Sequence, residues 1–446
     1  MTISLEFLRN KPLWRKINLL LTYAVVFTFP FPLYISLKVL GLWMLSSLVI
    51  FDWGAVRRSV HKVYFLFVVL YYVAYLIGCL YSQDISGAWH QLAMKIYLLL
   101  FPFMFASLDV MYKRYFDRIL SWYVLGQVAA FVILLVIAFA SSWHNIDGQL
   151  VFDPRVDRNY DFWHSFYGGG NYFFYTVFSR FMHPSYAGLE ASFAIAVLVF
   201  LRRNPYGLTY GKLTHFLTQR FICLALMGIL TLAVLMYGSR ANLIGISALY
   251  FFVVLTAQIR PMALKIFVSL VVLALGVLVI IYNPRVESLT QKVENYDQLT
   301  WIEKIRYFNR VFFWYSAYEI GSSHPLFGVG TGDLQWHLYR KYAQLDMVRY
   351  MDPSYNSHNE FLENFGRLGL MGLLPLLGMF LYAFAIGVYD RRRLLLMFLV
   401  LVFVNFMFEV FLNRAAGTSF IAFFLNFLLL LDFRDLNLPK ISFLNG

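Results

Sequence analysis

Four groups of polar residues stand out against an otherwise apolar chain. The first is Ser357-His358-Asn359-Glu360, with Glu363 and Arg367 following, placed where a long polar stretch gives way to an apolar one marked by Gly366, Gly369 and Gly372. An imidazole gains and loses a proton near working pH, so His358 suits a general base that takes the proton of an attacking hydroxyl. Glu360 or Glu363 would orient it. The same residues also make an ordinary helix start, with Ser357 or Asn359 capping free amides and Glu363 paired to Arg367 four residues on. No second His or Cys stands at ligand spacing, which argues against zinc.

The second group is Gly238-Ser239-Arg240-Ala241-Asn242, a tight turn between two apolar runs. An arginine at such a position faces a partner, a polar cavity or the water beyond the membrane, to which it snorkels. Phosphate fits the first two cases, because the guanidinium offers a planar donor fork and keeps its charge. The third group is Arg306 and Arg310, four apart and hence on one helix face, with Trp314 a turn further along. Two stacked like charges repel unless an anion bridges them; the rival reading is a solvated face partly compensated by Glu303. The fourth is Arg180-Phe181-Met182-His183-Pro184-Ser185-Tyr186. There Arg180 and His183 would contact sugar or phosphate, or Pro184 simply opens a helix.

The elements that must position these groups follow from composition. Of 446 residues, 60% are hydrophobic and 14% charged, whereas soluble domains carry about 25% charged residues. A soluble fold is excluded. Many apolar runs approach the roughly 20 residues of a membrane-crossing helix, and none alternates as a barrel strand does. The expected fold is all-α and integral to the membrane, with about twelve transmembrane helices. They are placed near 17–33, 34–51, 62–81, 90–108, 118–141, 185–201, 219–237, 240–257, 263–282, 361–388, 393–411 and 416–431. The first run has a basic flank but no small-residue cleavage site, so it reads as a retained span. Cys79 and Cys223 fall near opposite faces and are not expected to pair.

With the amino terminus inside, every predicted inner segment is basic: Arg9 to Lys16, Arg57 to Lys62, Lys113 to Arg118, Arg202 to Arg220, Arg260 with Lys265, Arg391 to Arg393, and Arg434 with Lys440. The short outer turns carry few cations, among them Arg240 and Arg414. Retention of basic loops on the inner face explains most of the net charge of +13, and nucleic acid is not implied. Both termini are then cytoplasmic. The chain divides into residues 1–282, with nine spans and an outer loop at 142–184; a large outer loop at 283–359; and residues 360–446, with three spans and a tail. The first loop holds the aromatic stretch Phe162 to Tyr175 and Gly168-Gly169-Gly170, a turn-rich lid candidate. The second carries a helical pattern from Thr300 to Ile320, a turn at HPLFGVGTGD and a short helix from Leu334 to Leu345. All four polar groups fall on the outer side.

Three stretches carry a resemblance: YGSRANLIG at 237–245, NRVFFWYSAYEIGSSHPLFGVGTGD at 309–333 and SHNEFLENFGRLGLMGLLPLL at 357–377. Their order resembles that of the O-antigen ligase and polymerase superfamily of bacterial envelope glycan assembly, over much of the carboxy-terminal half. The resemblance implies a fold like that of type C glycosyltransferases, in the bacterial inner membrane with the site on its periplasmic side. It implies an undecaprenyl-diphosphate-linked glycan as donor, no metal and no cofactor. Arg240 and Arg310 then clamp the diphosphate and His358 is the base or orients the acceptor. Arg306 joins the clamp on the spacing alone, with Asn359, Glu360, Glu363, His183 and Arg180 in support.

The expected reaction is ligase-like transfer to a hydroxyl of lipid A-core, the glycan's anomeric configuration inverting. A polymerase would use the same residues on another lipid-linked glycan acceptor. A lipid-oligosaccharide flippase is a further alternative, although transporters place polar sites near the midplane and these charges gather at one face.

Overall fold

The computed structural model describes residues 11–166, 169–203, 211–255, 261–281, 301, 309–352 and 355–431. Each apolar run expected to span is a helix: Lys11–Thr28, Leu33–Val49, Lys62–Leu80, Ile85–Ser107, Phe116–Ser141, Pro184–Arg203, Arg220–Tyr237, Arg240–Leu255, Met262–Ile281, Glu360–Tyr389, Arg393–Phe406 and Ala415–Leu430. Among the described residues, 5 of these are long and apolar enough to cross a membrane, and several others are shorter apolar helices. This is a multi-pass, helical membrane protein.

Helix ends follow local chemistry. Asp52 and Asp84 accept hydrogen bonds from the amides of Gly54 and Gly87, while Gly238 ends Arg220–Tyr237 with φ of 60°, a left-handed cap. The Pro184–Arg203 helix is buried from Pro184 to Leu201, as expected of a mostly apolar helix with neighbours on every side, and its one carboxylate, Glu190, accepts from Gln127 Nε2 at 2.9 Å. The Arg220–Tyr237, Arg240–Leu255 and Arg393–Phe406 helices pack around it. Lys62–Leu80 lies along Glu360–Tyr389, and Ile85–Ser107 along Ala415–Leu430.

The first polar loop opens with a two-stranded hairpin, Trp143–Ile146 paired antiparallel with Gln149–Phe152. The second holds helices Asn309–Ser323 and Leu334–Gln344, around a small core of Phe312, Phe313, Leu338, Tyr342 and Tyr350. The helical pattern predicted from Thr300 thus appears from Asn309 onward; residues 302–308, Arg306 among them, lie outside the described residues, as does Gly168.

Two local features shape the site. The Glu360–Tyr389 helix breaks at Gly369, with φ of 58° and ψ of −150°, a region that only glycine enters cheaply. The turn from Pro325 to Gly330 fills the break: the Leu370 and Met371 amides donate to the carbonyls of Pro325 and Leu326, and Gly330 N donates to Arg367 O. Gly328 there has φ of 64°, and a Cβ on it would sit 2.4 Å from the Arg367 carbonyl carbon. The two glycine-rich motifs fit each other, so the backbone groups freed by the break are paired again. The other feature corrects the sequence reading. The span expected over 393–411 ends as a helix at Phe406, and residues 407–414 are a non-helical loop. Val410, Phe411 and Leu412 extend the hydropathy of the run but are buried under the site; hydropathy registers apolarity and not helical hydrogen bonding.

Candidate functional site

His358 is held from several sides. Its φ is 48°, a left-handed conformation that costs a residue with a side chain about 1–3 kcal/mol and persists only where surroundings enforce it. They do so here: His358 N donates to Asn356 Oδ1 at 2.8 Å, Trp314 Nε1 donates to His358 O at 3.3 Å, and the ring lies 5.3 Å from that of Phe313. Asn359 caps the following helix, accepting from the amides of Phe361 and Leu362 at 3.0 Å each. The helix-cap reading and a functional reading of this group are therefore compatible.

The carboxylate facing His358 is neither of those foreseen. His358 Nδ1 lies 3.4 Å from Glu409 Oε1, and with that charge contact set aside it has no hydrogen-bond partner. At that length the two groups face each other without a well-formed hydrogen bond. Burial pushes the Glu409 carboxyl up, but the proximity and charge of His358, the charge of His183 and the Val410 amide outweigh it and bring the group from 4.5 to about 2. Glu409 is thus an anion between two histidines at any working pH. Its sequence signal was solitude: it is the sole acidic residue from Arg391 to Leu431, and a lone acid in an apolar stretch marks a polar cavity or a partner.

The other predicted residues gather unequally around residues 407–410. Arg310 donates to the Phe408 carbonyl and lies over the Phe408 ring at 5.4 Å, beside Trp314, whose ring is 5.9 Å from the same phenylalanine. His183 Nδ1 accepts from Ser185 N at 3.3 Å, and Tyr186 Oη donates to Val410 O at 3.2 Å. Arg240, half-buried, opens its helix in a turn fastened to Ser185, next in sequence to Tyr186: Asn242 Nδ2 donates to Ser185 O at 2.9 Å and Ser239 Oγ to Ser185 Oγ at 3.5 Å. Arg180 is exposed and turned elsewhere. It donates to Ser141 Oγ at 3.0 Å and to Val177 O at 3.4 Å, tying the first loop to the end of the Phe116–Ser141 helix.

Beneath the site lies a buried charge network. Glu360 accepts from Leu412 N at 2.9 Å and from Asn364 Nδ2 at 2.9 Å. Glu363 accepts from Arg367 Nη2 at 2.7 Å, Asn413 Nδ2 at 2.8 Å and Ser357 Oγ at 2.7 Å. The pairing of Glu363 with Arg367 is as the spacing suggested, but both carboxylates hold backbone and neighbours rather than the His358 ring. Lys95 completes the network: its ammonium donates to Leu412 O and to Asn413 Oδ1 at 3.0 Å. Lys95 and Glu360 are 0% exposed, Glu363 1% and Arg367 4%, so two basic and two acidic side chains are packed together inside the bundle. Lys95, Glu360 and Glu363 share one target, the Leu412-Asn413 segment, three residues beyond Glu409, while Arg367 is tied to it through Glu363.

Lys95 was legible as the one cation inside the run at 90–108; its target was not, because more than three hundred residues separate the two. Among the described residues, no three His, Cys, Asp or Glu side chains gather as metal ligands. What the arrangement offers is an imidazole whose Nδ1 faces a fixed anion, with Arg310 on the adjoining residue. Comparison with curated proteins finds no match. Residues 221–377, which include Arg240, Arg310 and His358, match the family described as O-antigen ligase, a domain family shared by O-antigen ligases and polymerases.

Proposed function

We propose that the protein is an O-antigen ligase-type glycosyltransferase that moves a glycan from undecaprenyl diphosphate to a hydroxyl of lipid A-core. The family match over residues 221–377 supports the broader part of this reading, since members of the family are membrane glycosyltransferases acting on lipid-linked glycans. The observation that supports the catalytic role of His358 is its contact with Glu409 at 3.4 Å. A carboxylate facing Nδ1 suits the tautomer that carries its hydrogen there and leaves Nε2 free to take a proton from the acceptor, the division of labour a general base needs. Twelve spans with both termini in the cytoplasm would set this site on the periplasmic side.

In the proposed step the acceptor oxygen attacks the anomeric carbon of the donor glycan from the face opposite the diphosphate. The new carbon–oxygen bond forms as the bond to the diphosphate oxygen breaks, the electron pair leaves with undecaprenyl diphosphate, and the hydroxyl proton passes to His358 Nε2. Configuration inverts. Arg310 and Arg240 would meet the charge that grows on the leaving diphosphate, stabilisation that is strongest where donors are fixed beforehand; Arg306, outside the described residues, is proposed to join them. Glu409 stabilises the imidazolium formed. No metal is required in this scheme.

The test is reconstitution of purified protein in liposomes with lipid-linked donor, with and without lipid A-core. Wild type should glycosylate lipid A-core, and His358→Ala should lose about 10²–10⁴-fold of that activity while still inserting in the membrane. Full activity of His358→Ala would remove the base. Chain growth on donor alone would instead make the protein a polymerase, and donor translocation without transfer would make it a flippase.

A further inference from the structure

The end of the bundle opposite the site holds a cavity that the proposed reaction does not use. The Lys62–Leu80 helix has 19 residues, about 28 Å at 1.5 Å per residue, close to the thickness of a bilayer's hydrocarbon core. Its carboxy-terminal end touches the second polar loop, where Thr331 Oγ1 donates to Tyr75 O at 2.7 Å. Its amino-terminal end begins beside His61, on the wall of a cavity of about 840 Å³. That volume falls within the range of small-molecule and cofactor sites. The cavity therefore lies at the other membrane interface, at the depth of lipid headgroups.

Its lining has two chemistries. Arg15, Lys16, Arg58 and Arg114 supply cations from separate stretches of the chain, against one carboxylate, Asp52, among the described lining residues. Asp52 does little to neutralise them: its contact with Arg58 is 3.8 Å long and both side chains are more than half exposed, so solvent screens it. The inner wall is apolar, with Leu19, Ile50 and Leu430. A site of this kind suits a molecule with a negative head and a hydrocarbon or glycerol body, and four cations against one carboxylate leave little place for a headgroup ammonium.

We infer that this cavity binds the phosphate headgroup of an anionic membrane phospholipid. Basic pockets between helices at an interface hold such headgroups, and guanidinium forks match phosphate oxygens. A free phosphate would satisfy the cations but leave the apolar wall without a partner, which is why the lipid is the chosen source. The rival explanation is topological: inner loops are basic whether or not they bind anything. That account asks only that the cations be present, whereas binding asks that they converge on one cavity.

The experiment compares full-length wild type with two charge-matched quadruple variants. One removes the cavity cations (Arg15→Gln, Lys16→Gln, Arg58→Gln, Arg114→Gln). The other removes exposed cations outside the lining (Arg57→Gln, Lys62→Gln, Lys212→Gln, Arg220→Gln). Each is purified from nanodiscs of phosphatidylcholine containing phosphatidylglycerol, and retained lipid is counted by native mass spectrometry. Wild type and the second variant should retain phosphatidylglycerol and show a higher Tm with it than in phosphatidylcholine alone; the cavity variant should lose at least about tenfold of the retention, and the Tm difference with it. Ala55→Trp, which leaves every charge in place but fills the cavity, should give the same loss if the cavity variant does not fold. Equal loss from both quadruple variants would make the charge purely topological and overturn the site. So would unchanged retention in the Ala55→Trp protein. Displacement of the lipid by millimolar inorganic phosphate or glycerol phosphate would show that a soluble anion, not a lipid, is the ligand.

Discussion

The two polar loops on the site's side of the bundle are held in opposite ways. In the first, from Trp143 to Asn171, the side-chain hydrogen bonds among the described residues close within the loop: Asp153 accepts from Arg155 Nε and Nη2 at 2.8 Å each, Arg155 Nη1 donates to Tyr160 O at 2.9 Å, and Asn171 Nδ2 donates to Ser165 Oγ at 2.9 Å. Hydrogen bonding from Arg155 holds the Asp153 carboxyl below its ordinary range against the opposing effect of burial. The second loop is fastened to the spans instead. Asp333 caps the amides of Gln83 and Asp84 at 2.8 and 2.7 Å, Arg367 donates to Thr331 O, and Lys95 reaches the 407–414 segment that faces the loop. A loop built from local contacts can shift as a unit while keeping its own structure. One clamped to several helices cannot, and His358 with Glu409 lies on the clamped side.

The sharpest way to break this contrast is to remove Lys95. Lys95→Met leaves Glu360 and the Leu412-Asn413 segment without the buried ammonium, and loss of one partner from a buried charge network costs about 3–5 kcal/mol. Thermal unfolding in detergent should show the largest Tm drop of any substitution considered, accompanied by loss of transfer. Lys95→Arg, which keeps the charge, should restore part of both. Arg155→Ala in the first loop should lower Tm much less, because its ion pair is partly exposed to water and its neighbours can re-solvate. If Lys95→Met melts like wild type, the 407–414 segment is held by something other than the network and the comparison fails.

Glu409→Gln is the next largest. It is nearly isosteric but removes the anion, so the imidazolium formed during transfer is no longer stabilised, and kcat should fall about 10²-fold. The pH dependence follows from the depressed carboxyl. Folded Glu409 sits at about 2 rather than 4.5, so it is ionised throughout the assay range and its charge faces the ring at every pH of the assay. Glu409→Gln should therefore lower kcat across that whole range. The same depression contributes stability that is fully present above 4.5 and is lost as pH falls toward 2; Glu409→Gln should lack that acid-side loss. Asp153→Asn, in the local loop, should leave kcat where it was. A kcat that fell with Asp153→Asn and not with Glu409→Gln would reverse the roles of the two regions.

How much of this was legible depended on the range of each interaction. Apolar runs revealed the helices because hydropathy is a property of neighbours in sequence, and Glu363 with Arg367 appeared because four residues make one helical turn. Gly369 and the HPLFGVG turn were visible as motifs, but their fit to each other was not, since it depends on a helix break being filled from a distant turn. Glu409 was hidden for a related reason: Val410, Phe411 and Leu412 carried the hydropathy signal past the end of the helix at Phe406. Glu360 and Glu363 are the carboxylates nearest His358 in sequence, but in the fold they face inward toward Lys95, Asn413 and Arg367.

The smallest expected effect tests what the adaptable loop is for. Its tip turns aromatic side chains outward: Trp163 is 70% exposed and Phe162 46%. Close to them in sequence, Gly169 and Gly170 take φ of 61° and 86°, left-handed values that suit a turn. Exposed rings at a membrane face can belong to an interfacial belt or can stack on sugars. If the loop covers a glycan donor, Trp163→Ala should raise KM for a long lipid-linked glycan about three- to fivefold, roughly 0.7–1 kcal/mol of binding, and leave kcat and the pH profile unchanged. A donor carrying a single sugar, too short to reach the tip, should show no change. A belt residue would instead lower membrane retention or Tm and treat long and short donors alike. A fall in kcat at constant KM would mean that the first loop takes part in the chemistry itself, and the division between a fixed catalytic side and an adaptable cover would have to be redrawn.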